Sequence, residues 1–99
     1  MTDDTRISLE QLSARIARFC HDRDWEQYHN PKNLSMALAV EASELMEIFQ
    51  WLTLAESMKD SLSPAQKQAI KEEIADVMIY AIRLAQVPVS YTHLTLPTN

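Results

Sequence analysis

The chain has 99 residues, a net charge of −5, 46% apolar residues and 23% charged residues, which are the values of one ordinary globular domain with a modest core. It contains no glycine, and glycine supplies the left-handed turns of β-hairpins and of phosphate-binding loops. The composition therefore argues against a β-rich protein or a phosphate-loop protein and favours helices, and the acidic balance argues against nucleic-acid binding.

Cysteine usage and hydropathy indicate the compartment. Cys20 is the single cysteine, so no disulfide can form within the chain, and a reducing compartment fits. The acidic start of the chain differs from a signal peptide, and no apolar run approaches the ~20 residues of a membrane span. We therefore expect a cytoplasmic protein with no membrane partner, in which Cys20 is a small buried residue and not a reactive thiol.

The first helix is predicted over about residues 8–23. Ser8 followed three residues later by Gln11 is the pattern of a capping box, and apolar residues recur at helical spacing behind it. A polar and aromatic segment, 25–33, comes next. The proline in this segment biases Asn30 away from helix, and we expect an ordered connection there.

A second helix is predicted from Asn33 or Leu34 to about Met58, with Asn33 as its N-cap. At roughly 100° per residue, Glu41 falls inside the apolar stripe of this helix, and Glu44 lies on the next turn of the same face. An ionised carboxylate on a buried face is costly unless it is paired or bound to a cation. The stripe consists of Leu34, Leu38, Leu45, Ile48 and Leu52.

The third helix is predicted to begin after Ser63 as its cap, because proline and glutamine follow at the first and third helical positions. It is expected to end near Gln86. Glu73, Asp76 and Tyr80 lie along one border of its apolar stripe. The residues of that stripe are Ile70, Ile74, Val77, Ala81 and Leu84.

Two acidic pairs, Glu41 with Glu44 and Glu73 with Asp76, repeat the same spacing on successive helices. Two antiparallel helices joined by a short turn bring these pairs face to face, and four converging carboxylates need protons or hard cations. Carboxylate oxygens suit Mg²⁺ or Mn²⁺, and a magnesium site is usually completed by substrate phosphates. The pattern predicts a magnesium site for a nucleotide or polyphosphate substrate, although a single acidic pair is common on solvated helices.

Three blocks of the sequence, 23–33, 41–51 and 72–80, resemble the all-α nucleotide pyrophosphohydrolases of the MazG type. Among them the chain is most similar to the dCTP pyrophosphatase branch, over roughly residues 8–86. The resemblance implies hydrolysis of a (deoxy)nucleoside triphosphate, with dCTP or a related pyrimidine as substrate, to monophosphate and pyrophosphate, which cleanses the nucleotide pool. The expected fold is an all-α helical bundle built on an antiparallel helix hairpin.

By the motif match, the family's metal ligands and catalytic residues would be Glu41, Glu44, Glu73 and Asp76, which would hold Mg²⁺, with Mn²⁺ as a substitute. A three-helix chain with a carboxylate-lined groove leaves apolar surface on its second helix. We therefore expect a homodimer or homotetramer.

The resemblance also implies a set of substrate-binding residues. Trp25, Trp51 and Tyr80 match positions that line the base pocket, where aromatic rings stack on a base, and core packing is the alternative for each. His29 is expected at the base or sugar and Lys32 at a phosphate. A structural or exposed histidine and an ordinary surface lysine are the alternatives.

The C-terminal residues differ in character from the rest. Residues 89–99 carry no charge and no helical period, and we expect them to lie outside the domain at 1–88, as a non-native tail or as an ordinary extended terminus. In the resembling family a further helical segment with basic phosphate ligands follows at this point. We therefore expect a C-terminally truncated domain.

Two other functions remain open at this stage. One is a non-catalytic oligomerising helical module, a truncated relative that retains the fold and weak metal or nucleotide binding. The other is a protein-binding helical module with an acidic face.

Overall fold

The computed structural model describes residues 6–87, so the expected domain limit at residue 88 and the tail 89–99 lie outside the described residues. Within 6–87 the regular structure is helical and no strand occurs, which confirms the all-α class. No described helix is long and apolar enough to cross a membrane. The helices are α1 (Leu9–Asp22), α2 (Pro31–Phe49) and α3 (Pro64–Gln86), with short 3₁₀ turns at Glu26–Tyr28 and Lys59–Ser61.

The predicted starts of α1 and α3 are confirmed. The Ser8 hydroxyl accepts a hydrogen bond from the Gln11 amide at 3.0 Å, and the Gln11 side chain accepts one from the Ser8 amide at 2.8 Å. Ser63 and Gln66 make the same reciprocal pair at 3.1 and 2.8 Å. Each capping box satisfies two amides that the first helical turn would otherwise leave without a partner.

The predicted N-cap of α2 was wrong by three residues. Asn30, and not Asn33, caps the helix, since its side-chain oxygen accepts the Asn33 amide at 2.8 Å. Pro31 takes the first helical position, where its missing N–H costs nothing. Asn30 is extended, with φ −102° and ψ 162°. Proline sterically favours an extended conformation in the preceding residue, so Pro31 also places Asn30 in the backbone conformation of an N-cap.

The predicted end of α2 near Met58 was also wrong, because the helix ends at Phe49. In the following segment the Thr53 hydroxyl accepts the Glu56 amide at 3.1 Å, and the Glu56 carboxylate accepts the Thr53 amide at 2.8 Å. Such side-chain bonds compete with helix propagation. Apolar residues continue through this turn at helical spacing, so periodicity alone did not reveal the break.

The C-terminus of α1 is closed by a Schellman motif without glycine. The amide of Trp25 donates to the carbonyl of Cys20, and the amide of Asp24 donates to the carbonyl of His21, both at 3.0 Å. Asp24 adopts the left-handed conformation, with φ 59°. Aspartate tolerates this region better than most residues do, yet at a steric cost that glycine would not incur.

The core lies where α1 packs against α3. Ile16 and Cys20 contact Ile82, and all three are buried, which confirms the predicted burial of Cys20. The predicted stripe of α3 was partly wrong, because Ile74 and Ala81 are exposed. The buried residues of α3 are instead Ile82 and Arg83. The reason is that α3 packs against α2 and against α1, so its buried surface extends beyond one stripe.

Replacing Asp24 with glycine should stabilise the protein. The substitution removes the steric cost of the left-handed conformation, about 1–2 kcal/mol, against an entropic cost of about 0.5–1 kcal/mol for glycine. We expect a net gain of about 0.5–1 kcal/mol in the free energy of unfolding, measured by urea denaturation. The matched control, Asp22→Gly at the last helical position of α1, should lose stability instead. A loss for Asp24→Gly would contradict the account of this turn.

Candidate metal centre

Three carboxylates from two helices meet at one place. Glu41 comes from α2, and Glu73 and Asp76 come from α3; one oxygen of each lies within 4.8 Å of the others. All three side chains are half-buried. Glu44 lies outside this group, with an exposed side chain one turn further along α2. The structure thus brings together three of the four ligands that the sequence predicts.

The two helices must be antiparallel for this meeting to occur. Ala37 on α2 lines the same cavity as Tyr80 on α3, whereas Glu41, one turn further along α2, meets Asp76, one turn earlier on α3. The residue numbers therefore rise on one helix as they fall on the other. The predicted antiparallel hairpin is the arrangement in the structure.

The carboxylates perturb one another. The pKa of Glu41 is raised to about 7, most strongly by the neighbouring Glu73 carboxyl, with which a protonated Glu41 can share a hydrogen bond, then by burial and by Glu44, with a contribution from Asp76. Two carboxylates can share a hydrogen bond only if one of them holds a proton. In the ionised form the crowded oxygens repel each other.

The donor atoms fit a divalent cation. Oxygen Oε2 of Glu41 and oxygen Oε2 of Glu73 are buried, and neither has a hydrogen-bond partner in the described part of the chain. A buried carboxylate oxygen without a partner is costly, and a cation placed between these atoms would satisfy both. The three converging groups are all carboxylates, a set typical of sites for hard cations and unlike the nitrogen and sulfur ligands of structural zinc sites.

A cavity of about 250 Å³ adjoins the carboxylates. Tyr80 connects the two, since the pKa of its phenol is raised by burial and then by the charges of Glu41 and Asp76. The volume lies below the range of ~300–1,000 Å³ for small-molecule sites, so the cavity suits one part of a ligand and not a whole nucleotide. Its lining consists of Tyr28, His29, Asn33, Leu34, Ala37 and Tyr80.

Of the five predicted substrate-binding residues, His29 and Tyr80 line this cavity and Trp25, Lys32 and Trp51 do not. The Trp25 ring packs edge-on against Phe19 and lies 6.4 Å from the His29 ring. Lys32 is exposed in the first turn of α2. Trp51 follows the end of α2 and is 86% exposed.

Two polar residues that line the cavity, Tyr28 and Asn33, were not predicted as site residues from the sequence. The Asn33 side chain donates a hydrogen bond to the Tyr28 carbonyl at 3.2 Å, which ties the connecting segment to the start of α2. Both residues belong to the block 23–33 that carried the family resemblance. Their position in that block was the signal that could have identified them.

The model of the MazG-like family matches residues 36–92 of the chain. The chain belongs to the MazG-like family. The matched range contains all four acidic residues of the E-x-x-E and E-x-x-D pairs.

Curated relatives that match the chain carry the name dCTP pyrophosphatase 1. The chain is 45% identical to human dCTP pyrophosphatase 1 over 78 residues, which are 79% of this chain and 46% of the human protein. It is 41% identical to rat dCTP pyrophosphatase 1 over 90 residues, which are 91% of this chain and 51% of the rat protein. The chain thus spans about half the length of these curated relatives.

A solved structure shows the same MazG-like architecture. The crystal structure of a pyrophosphatase from Archaeoglobus fulgidus superposes with a TM-score of 0.68 at 35% sequence identity. The similarity covers 86% of this chain and 78% of that protein. The arrangement of helices around the carboxylates is therefore shared with a protein described as a pyrophosphatase.

Replacing Glu41 with glutamine should raise the melting temperature of the metal-free protein and abolish its stabilisation by Mg²⁺. At about pH 8, above the Glu41 pKa of about 7, the substitution removes one of three mutually repelling charges, and about 1 kcal/mol in a domain of this size corresponds to ~4–8 °C. Saturating Mg²⁺ at about 100 times its dissociation constant should add ~2.7 kcal/mol to the wild type. Differential scanning fluorimetry with Mg²⁺ and with EDTA measures both effects.

The matched control is Glu47→Gln, an exposed position on the same helix. It should change neither the metal-free melting temperature nor the response to Mg²⁺. An unchanged Mg²⁺ response in Glu41→Gln would remove Glu41 from the metal centre.

Proposed function

We propose that the protein hydrolyses a (deoxy)nucleoside triphosphate to the monophosphate and pyrophosphate with Mg²⁺, and that dCTP or a related pyrimidine deoxynucleotide is its substrate. The observation that carries this proposal is the meeting of Glu41, Glu73 and Asp76 beside a cavity lined by aromatic and amide side chains. Relatives named dCTP pyrophosphatase support the choice of substrate. Removal of damaged or surplus nucleotides is the expected cellular role.

In this proposal the four acids hold the metal. Glu41, Glu73 and Asp76 supply converging oxygens, and Glu44, whose carboxyl group already acts on the Glu41 carboxyl, completes the set. A bound Mg²⁺ would neutralise charge on the phosphates and lower the pKa of a water molecule. A carboxylate oxygen that is not engaged by the metal accepts the proton of the attacking water.

The adjoining cavity accounts for the nucleoside. Tyr80 stands between the carboxylates and the cavity, so a triphosphate at the metal would place its base near the side chains of His29 and Asn33. Aromatic rings hold bases by stacking, which is worth ~1–3 kcal/mol per base. Trp25, Trp51 and Lys32 remain predicted contacts of the substrate from the family resemblance.

The homodimer or homotetramer and the cytoplasmic location also remain predictions. Several large apolar side chains on α2 and in the segment after it are exposed, and association with a second copy would cover them. They are Met36, Val40, Met46, Trp51, Leu54 and Met58.

A substrate panel tests the proposed function. We expect Mg²⁺-dependent release of pyrophosphate from dCTP in preference to purine nucleotides, detected as phosphate with malachite green only after inorganic pyrophosphatase is added. Glu73→Gln should reduce the rate by about 100-fold or more, because loss of even a supporting partner in a metal site costs ~10–100-fold. Its helical circular dichroism should remain.

Glu72→Gln, at the exposed neighbouring position on α3, is the matched control and should keep full activity. If wild-type protein released no pyrophosphate from any NTP or dNTP with Mg²⁺ or Mn²⁺, the enzymatic proposal would be wrong. Binding of Mg²⁺ and dCTP by calorimetry without turnover would then favour the non-catalytic module.

A further inference from the structure

Arg83 is a buried cation near the C-terminus of α3. It is 7% exposed, and the nearest carboxylate, Glu26, is half-exposed and 3.9 Å away. An ion pair at that distance offsets little of the cost of burying a guanidinium. Hydrogen bonds to neutral groups supply the closer contacts, which indicates that Arg83 orients its neighbours.

These hydrogen bonds join three parts of the chain. The Arg83 Nε–H donates to Nδ1 of His29 at 2.9 Å, and one terminal N–H donates to the Gln86 side-chain oxygen at 2.9 Å. The Gln86 side-chain amide in turn donates to the Ser13 carbonyl and hydroxyl at 2.6 and 2.7 Å. Arg83 therefore links the connecting segment to α3, and through Gln86 to α1.

The bond to His29 determines where the imidazole carries its proton. A guanidinium N–H can only donate, so Nδ1 of His29 must accept and cannot hold a proton. The single proton of the neutral ring is then on Nε2. The pKa of His29 is lowered by burial and by the Arg83 charge, which keeps the ring neutral. Nε2 has no hydrogen-bond partner among residues 6–87.

His29 lines a cavity in which its Nε2–H group can donate to a ligand. His29 lines two cavities, one together with Arg83 and Gln86 and the other together with Tyr80 and Asn33. His29 is the residue common to both linings. Arg83, which lines the first cavity and not the second, engages Nδ1, so Nε2 is the ring nitrogen left for a ligand.

Arg83 also lies on the same face of α3 as the metal centre. It follows Tyr80 by three residues and Asp76 by seven, so two helical turns, about 10 Å, separate it from Asp76. One rigid helix thus sets the distance between the carboxylates and the residue that holds His29.

We propose that Arg83 is a positioning residue for the nucleotide site: it fixes His29 as the Nε2–H tautomer and directs that single donor towards an acceptor atom of the bound nucleoside. This inference rests on the proposed function for the identity of the ligand. The tautomer itself does not depend on activity, and it can be measured in the protein without substrate.

The first test is a long-range ¹H–¹⁵N NMR spectrum of wild-type protein labelled at histidine, with His29→Gln used to assign the resonances. We expect His29 to show one unprotonated nitrogen, Nδ1, and one protonated nitrogen, Nε2, at neutral pH. Addition of dCMP with Mg²⁺ should shift the Nε2–H resonance. A protonated Nδ1, or averaging between tautomers, would overturn the proposal even if the enzyme were fully active.

The second test uses Arg83→Lys, which keeps the charge but loses the planar donor group. We expect averaging of the His29 tautomers and an increase of about tenfold in KM for dCTP, the equivalent of one hydrogen bond, with kcat nearly unchanged. Arg18→Lys, at an exposed position on α1, is the matched control and should change neither.

A double-mutant cycle shows whether Arg83 acts through His29. In a His29→Ala background, Arg83→Lys should add no further increase in KM. Additive effects of the two substitutions, or a loss confined to kcat, would overturn the positioning role. If wild-type protein hydrolysed no nucleotide, the proposed function would fail, while the tautomer measurement would still decide between a fixed and a mobile His29.

Discussion

Mutual repulsion of carboxylates across the α2–α3 interface is the constraint on which the rest of the site depends. Oxygens of Glu41, Glu73 and Asp76 lie within 4.8 Å of one another, so the helices that carry them are pushed apart unless a proton or a cation intervenes. The packing of α2 against α3 opposes this repulsion. The fold therefore keeps the three carboxylates together for a cation and loses some stability by doing so. Functional sites commonly lower the stability of a protein in this way.

Helix α3 fixes the spacing between the residues of the candidate site. Glu73, Asp76, Tyr80 and Arg83 follow one another on one face, so the two carboxylates, the tyrosine beside the cavity and the arginine that contacts His29 are spaced by about one helical turn each. The connecting segment between α1 and α2 is shorter and less regular. Its position is set by contacts with other parts of the chain, namely the hydrogen bond from Arg83 to His29 and the edge-on packing of Trp25 against Phe19.

Local signals predicted the helix starts of α1 and α3 and the meeting of the acids, because a capping box and an i,i+3 spacing are complete within a few residues. The end of α2 could not be predicted, since the Thr53–Glu56 bonds interrupt the helix while apolar periodicity continues. The burial of Arg83 was missed as well. It depends on His29, 54 residues earlier in the chain, and no pattern within α3 indicates such a partner.

The burial of Cys20 allows the separation of α1 from α3 to be followed by the chemical reactivity of its thiol. The thiol is fully covered between α1 and α3, and burial raises its pKa, so the reactive thiolate is scarce while the helices stay together. Alkylation of this one sulfur can proceed only when α1 lifts away from α3. Its rate therefore reports how readily α1 and α3 separate, whether by local opening or by global unfolding.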